Sequence, residues 1–196
     1  DSNDFYDQGI ALNGVKQATV TNNTFQDIDG SISANGGANP QHRGLVIEDA
    51  WGTTGIENVT VTGNTFENIT VEDGAIAFQR FTGGSPADVA EIDRLSDILI
   101  QDNTFTNAPE QPIFVNDDYF GGGAVLPDSI TQDQLIIGTA GDDAIVDDSA
   151  GATAIFTSTG DDSVTGGAGA DLIDGGEGGE TDEGDVAVFA DVLVAD

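Results

Sequence analysis

The run Gly166-Gly167-Ala168-Gly169-Ala170-Asp171-Leu172-Ile173-Asp174 carries glycine at its first, second and fourth places, aspartate at the sixth and isoleucine at the eighth. The nonapeptide before it, Thr157 to Thr165, keeps Gly160, Asp162 and Val164. One unit earlier, Asp148 to Phe156 keeps Gly151 and Ile155 but has Thr153 where aspartate belongs. Earlier still, Gly138 to Val146 keeps Gly138, Gly141, Asp143 and Ile145, and a single residue, Asp147, interrupts the register. Downstream, Gly175-Gly176-Glu177-Gly178 begins another unit before the pattern slips. It resumes as Asp185-Val186-Ala187-Val188-Phe189, which reads as a closing strand. Glycine lets such turns tighten and aim backbone carbonyls inward. The aspartate adds a hard, charged oxygen, which suits Ca²⁺ with its roughly six to eight oxygen ligands. The apolar eighth place faces a thin core, too thin to fold without the ion. The candidate metal-holding residues are Gly138, Gly141, Asp143, Gly160, Asp162, Gly166, Gly167, Gly169, Asp171, Gly175, Gly176, Gly178 and Asp185. A flexible Gly/Asp linker is the rival reading, but linkers lack an apolar residue at every ninth place.

Composition points the same way. The 196 residues hold 36 acidic side chains against four basic ones, for a formal charge of −32. From Leu95 to the end there is no Lys or Arg. Nucleic-acid binding through phosphate contacts is excluded, since nothing can displace the counterions. So many carboxylates repel one another, and bound cations are a common remedy. With no cysteine there is neither a disulfide frame nor a thiolate metal site, and one histidine rules out a multi-histidine site within one chain. No apolar run approaches the ~18 residues of a membrane-spanning helix. The chain opens at Asp1-Ser2-Asn3 without an initiator methionine or signal peptide and closes on the strand-like Asp191 to Asp196, so both ends read as cuts through a longer protein.

Residues 1–127 must supply the frame. Val20-Thr21-Asn22-Asn23-Thr24-Phe25, Val61-Thr62-Gly63-Asn64-Thr65-Phe66 and Ile100-Gln101-Asp102-Asn103-Thr104-Phe105 repeat one phrase, with a partial copy at Asn3-Asp4-Phe5. Each precedes a short apolar strand: Ile10-Ala11-Leu12, Leu45-Val46-Ile47, Ile76-Ala77-Phe78 and Ile113-Phe114-Val115. The spacing predicts a minimum rung of ~20 residues, lengthened by insertions near 30–43 and 81–94. Phe5, Phe25, Phe66 and Phe105 would stack inside, and Asn3, Asn23, Asn64 and Asn103 would form an amide ladder at a turn. A β-sandwich does not repeat one motif at one place in this way. Ser85-Pro86-Ala87-Asp88 predicts one helix, running to about Arg94.

The phrase Asn58-Val59-Thr60-Val61-Thr62-Gly63-Asn64-Thr65-Phe66-Glu67-Asn68-Ile69 resembles the right-handed parallel β-helix repeat of pectate-lyase-like proteins. The nonapeptides resemble the repeats-in-toxin (RTX) family of secreted bacterial proteins, a resemblance that implies calcium held between turns two repeats apart. Carried onto this chain, Asp143 would pair with Asp162 on one side, and Asp171 on the other would face Thr153. Together the resemblances imply an all-β chain: residues 1–127 the C-terminal part of a parallel β-helix with inserted loops, and residues 128–196 a calcium-binding parallel β-roll. They imply secretion to the extracellular space or cell surface, where calcium triggers folding.

A similar pairing of modules occurs in mannuronan C5-epimerases, some polysaccharide lyases, and large adhesins and surface-layer-like proteins. The epimerases' Asp-Pro-His motif is absent; Asn39-Pro40-Gln41-His42-Arg43 does not match it. A lyase or epimerase needs a base, a proton donor and a cation for the uronate carboxylate. His42, Arg43 and Arg80 are the candidates, with Lys16 apart in a turn. Aligned rungs put Asp49, Arg80 and Asp117 at one position, where Arg80 also reads as an ion-pair rung. His42 in a polar loop also reads as a surface histidine. Ala11, Val46, Ala77 and Phe114 point outward near Trp51, Phe81 and Tyr119; this face is either a sugar groove or is covered by the loops. The expected role is calcium-binding structural or adhesive. The alternatives are a polysaccharide lyase or epimerase on acidic polysaccharide, and a self-assembling surface or filament protein whose partner is a copy of itself.

Overall fold

The computed structural model describes residues 9–29, 43–49, 55–70, 74–80, 95–115, 130–157, 159–176 and 186–188, and every regular element among them is a β-strand. The first stack has three strands per coil. β1 (Ile10–Asn13), β2 (Ala18–Thr21) and β3 (Thr24–Asp29) make one coil; β4 (Leu45–Asp49), β5 (Ile56–Thr62) and β6 (Thr65–Thr70) make the next. β7 (Ile76–Arg80), β8 (Leu95–Gln101) and β9 (Thr104–Thr106) form the third, and β10 (Ile113–Val115) opens a fourth. Like strands stack in parallel: Leu12 beside Ile47 beside Phe78, Val20 beside Val61 beside Ile100, Phe25 beside Phe66 beside Phe105. The three strands of the first coil fit between Ile10 and Asp29, in keeping with the short minimum rung. The helix predicted from Ser85 lies outside the described residues.

Strand alternation alone does not explain the core, because Ile56 and Val59, or Phe66 and Ile69, are three apart and all buried. A left-handed residue between them restores the phase: Asn58 at φ 51° and Asp97 at 54° in one column, Asp27, Asn68 and Asn107 at 57°, 56° and 49° in another. Asn and Asp tolerate this conformation better than other side-chain-bearing residues. The second column is also tied laterally. Asn68 Nδ2 donates to Asp27 Oδ1 at 2.9 Å, and Asn107 Nδ2 donates to Asn68 Oδ1 at 2.9 Å.

Inside the corner runs the predicted amide ladder. Asn23 Nδ2 donates to Asn64 Oδ1 at 3.1 Å and Asn64 Nδ2 to Asn103 Oδ1 at 3.0 Å. Asn64 is 1% exposed and also caps the Val20 carbonyl at 2.8 Å while accepting the Asn23 backbone N–H at 2.9 Å. Replacing it by alanine strands these buried backbone groups, so Asn64→Ala is expected to cost about 2–3 kcal/mol. Urea unfolding should show that loss, with a smaller one for Asn23→Ala, whose side chain is exposed. Phe25, Phe66 and Phe105 stack, with centroids 4.6 Å and 5.2 Å apart. Asn3 and Phe5 of the expected columns lie outside the described residues.

Beyond the third coil the chain turns over. β11 (Gln134–Ile137) joins the edge of β8 antiparallel, Leu135 against Ile100 and Ile137 against Ile98. β13 (Thr153–Phe156) and β15 (Leu172–Asp174) follow in parallel, so one sheet runs unbroken in the order β2-β5-β8-β11-β13-β15. The intervening strands β12 (Ala144–Val146), β14 (Ser163–Thr165) and β16 (Val186–Val188) form a second parallel sheet. Leu135, Ile137, Ala154 and Phe156 belong to the β-helix core, whereas Ile155 and Val164 are buried outside it. The shared sheet therefore buries apolar side chains on both faces at β13. The antiparallel seam and the two-faced strands were not among the expectations from sequence.

Candidate functional site

Each pair of consecutive nonapeptides closes one coil. Asp143 and Asp162 stand 19 residues apart, and Thr153 and Asp171 stand 18 apart; the extra residue in the first interval is Asp147. The sixth-place aspartate of each coil fastens the coil before it. Asp162 Oδ1 accepts the Asp143 backbone N–H at 2.8 Å, and Asp171 Oδ1 accepts that of Thr153 at 3.0 Å. Asp143 Oδ2 accepts the Thr139 N–H at 2.7 Å. Both oxygens of Asp162 are enclosed, Oδ1 by that bond and Oδ2 by burial. Asp162 thus stacks on Asp143 and Asp171 on Thr153, each through a carboxylate-to-backbone hydrogen bond.

The glycines leave the room that this stacking needs. Gly160 sits at φ +136°, and a Cβ there would come within 2.7 Å of the Gly141 carbonyl carbon in the turn above. Gly167, at φ +75°, faces the carbonyl oxygens of Asp147 and Ser149, 2.7 and 3.2 Å from the place a Cβ would take. A Cβ on Gly138 would meet Asp143 Oδ2 at 2.4 Å, with the Thr157 carbonyl oxygen at 3.2 Å. Gly169 approaches the Gly151 carbonyl oxygen, and Gly166 packs beside Asp171. Gly175 accepts from Thr157 Oγ1 at 2.9 Å, and Gly176 donates to Asp174 Oδ1 at 2.9 Å. Gly141 has open space on its Cβ side. Gly178 and Asp185 lie outside the described residues, though the closing strand expected after Asp185 appears as β16 beside β14.

The donor set is oxygen throughout: carboxylates and turn carbonyls. Among the described residues no three carboxylate or imidazole side chains converge, so a cation here would rest on one or two aspartates and otherwise on backbone. That composition fits a hard ion that tolerates many carbonyl ligands. Between Gly138 and Gly176 there are eight aspartates and no basic residue.

The candidates for sugar chemistry are placed differently. Arg43 is 2% exposed, and its guanidinium carbon lies 5.1 Å from the centroid of the Phe114 ring. Val46 and Ala77, next to Phe114 in register, have no exposed surface, while Ala11 at the end of the row is exposed. That face is covered over Val46 and Ala77, in line with the covered-face reading. Arg80 stands in register with Asp49, as the aligned rungs predict. His42, Asp117, Trp51, Phe81 and Tyr119 lie outside the described residues, so no junction of His42 with Arg43 and Arg80 is on view. Lys16 pairs with Glu57 of the next coil.

Two further features escaped sequence reading. The outer ladder Asp27–Asn68–Asn107 carried a signal, four residues after each ladder asparagine, while Asp147 looked only like an interruption. A family model described as the right-handed beta helix region matches residues 8–137. No curated protein and no solved structure matches the chain. Frames of this kind suit proteins that act on polysaccharides and proteins with structural roles. Among the described residues no helix is long and apolar enough to cross a membrane.

Proposed function

Because the chain belongs to the right-handed β-helix family, we propose that it is a calcium-binding structural or adhesive segment of a secreted or cell-surface bacterial protein, its β-helix followed by a calcium β-roll. The observation that carries this reading is the stacking of Asp162 on Asp143, whose backbone N–H donates to Asp162 Oδ1 at 2.8 Å, within a segment, Gly138 to Gly176, that contains no basic residue. The residues that would hold the ion are Asp143 and Asp162 with carbonyls of the turns around Gly138–Gly141 and Thr157–Gly160. When bound, calcium supplies positive charge and a cross-link between successive turns. The resemblance of the nonapeptides to the RTX family adds the compartment, since calcium is plentiful outside cells. It also adds the partners: calcium itself, and through it acidic polysaccharide or further copies of the chain.

Titration calorimetry on protein stripped with a chelator tests the reading. Calcium uptake is expected, and Asp162→Asn should weaken it about tenfold or more, as loss of one charged ligand oxygen requires. An absence of uptake by the wild-type chain would end the proposal.

A further inference from the structure

The second nonapeptide, Asp148 to Phe156, lacks its aspartate, and the residue that breaks the repeat just before it supplies one. Asp147 is 2% exposed, and its Oδ2 accepts the Thr153 hydroxyl at 2.6 Å, bringing a carboxylate beside the sixth place where the repeat has none. Sixth-place aspartates fasten their coil to the one before; Asp147 does the same across the seam. Its Oδ1 accepts Gln101 Nε2, at the end of β8, at 2.7 Å. The remaining donors are the Ser149 N–H at 2.9 Å to Oδ1 and the Ser149 hydroxyl at 3.1 Å to Oδ2. Ser149 in turn accepts from Gln134 Nε2 at 3.0 Å, and Gln134 Oε1 faces the Asp102 N–H at 3.4 Å. Four neutral donors therefore occupy a buried carboxylate that elsewhere in the array would be shared with a cation.

We infer that Asp147, Ser149, Thr153, Gln101 and Gln134 form a metal-independent joint: the first turn on this side of the β-roll is closed by hydrogen bonds, is seated on the β-helix without calcium, and serves as the template on which the calcium-dependent turns assemble. The inference rests on the calcium reading of the later turns. Its physical content is a division of labour. A fully hydrogen-bonded carboxylate needs no counter-ion to stay buried, whereas paired aspartates on stacked turns do. The two-faced β13, with Ala154 and Phe156 in the β-helix core, holds the same turn from below.

Hydrogen exchange read by mass spectrometry, on the full chain with calcium and with chelator, tests the joint. With chelator, peptides covering 147–156 should exchange at least about tenfold more slowly than those covering 160–176. Equal exchange in the two segments would overturn the joint. Gln101→Ala should abolish that difference while leaving calcium stoichiometry unchanged; retained protection would count against the tie across the seam. Thr153→Asp restores the repeat and sets two carboxylates in contact, so it should bind one further ion per chain and lose protection of 147–156 in chelator. Unaltered stoichiometry and protection in that variant would also overturn the inference. Calcium uptake measured on the same wild-type sample separates the failures: no uptake removes the calcium reading and this inference with it, whereas uptake with fast exchange at 147–156 removes the joint alone.

Discussion

With calcium held as proposed, chelation is expected to unfold the second stack from β14 onward and to leave the coils between Ile10 and Val115 standing. The second sheet has little of its own to hold it. Within the roll, Ile155 and Val164 are buried and Ile145 and Ile173 only half-buried, while Val146 is 71% exposed. So small an apolar interior cannot offset the ordering of nearly forty residues at ~1–2 kcal/mol each. Eight aspartates in a segment, Gly138 to Gly176, that contains no basic residue add repulsion once calcium leaves. The first stack, by contrast, rests on a continuous core from Val20 to Val115 and on ladders that need no metal. Far-UV circular dichroism should therefore lose part of its β signal in chelator and regain it with calcium. Magnesium should restore it poorly, because the smaller ion demands a tight octahedral shell and keeps its water. A spectrum indifferent to chelator would contradict this expectation.

The largest single-residue effect is expected at Phe66. Its ring is fully buried between Phe25 and Phe105, at centroid distances of 4.6 and 5.2 Å, and is the middle member of the column. Gly44 exists as glycine for its sake, since a Cβ there would reach Phe66 Cδ1 at 2.8 Å. Phe66→Ala should cost about 3–5 kcal/mol for the vacated volume, and the two stacking contacts bring it toward the upper end. Urea unfolding in calcium would show this as a lowered midpoint, with Phe66→Leu losing markedly less because much of the volume is kept. A midpoint shifted by less than about 1 kcal/mol would mean that the column relaxes around the gap.

The first stack was largely legible because one phrase recurs with its asparagine and phenylalanine in fixed places, and at those places the amides bridge rungs and the rings stack. The sixth-place aspartates were legible for a similar reason, as their stacking partners lie one coil away, 18 or 19 residues back. The seam was not. Hydrogen-bond direction between strands leaves no mark on residue type, so nothing in Gln134 to Ile137 announces an antiparallel neighbour. A weaker signal did exist: Leu135-Ile136-Ile137 and Ala154-Ile155-Phe156 are unbroken apolar runs, the pattern of a sheet covered on both faces. Asp147 was hidden because its meaning depends on Gln101, 46 residues away across that seam. His42 and Arg43, adjacent in sequence, invited a joint role, yet Arg43 is turned into a covered face beside Phe114.

At the junction of β8 with β11 two reversals happen together. Strand direction inverts, and the enclosed side of the shared sheet changes from the Ile98–Ile100 face to the Ile136–Ile155 face, while strands continue to be added along one axis. The hand of a coil is the product of these three directions, so two sign changes cancel. The second stack consequently winds in the same right-handed sense as the first. Inverting the strand alone would have demanded left-handed crossovers, which sheet twist strongly disfavours. The chain is turned over at the seam without its chirality being turned with it.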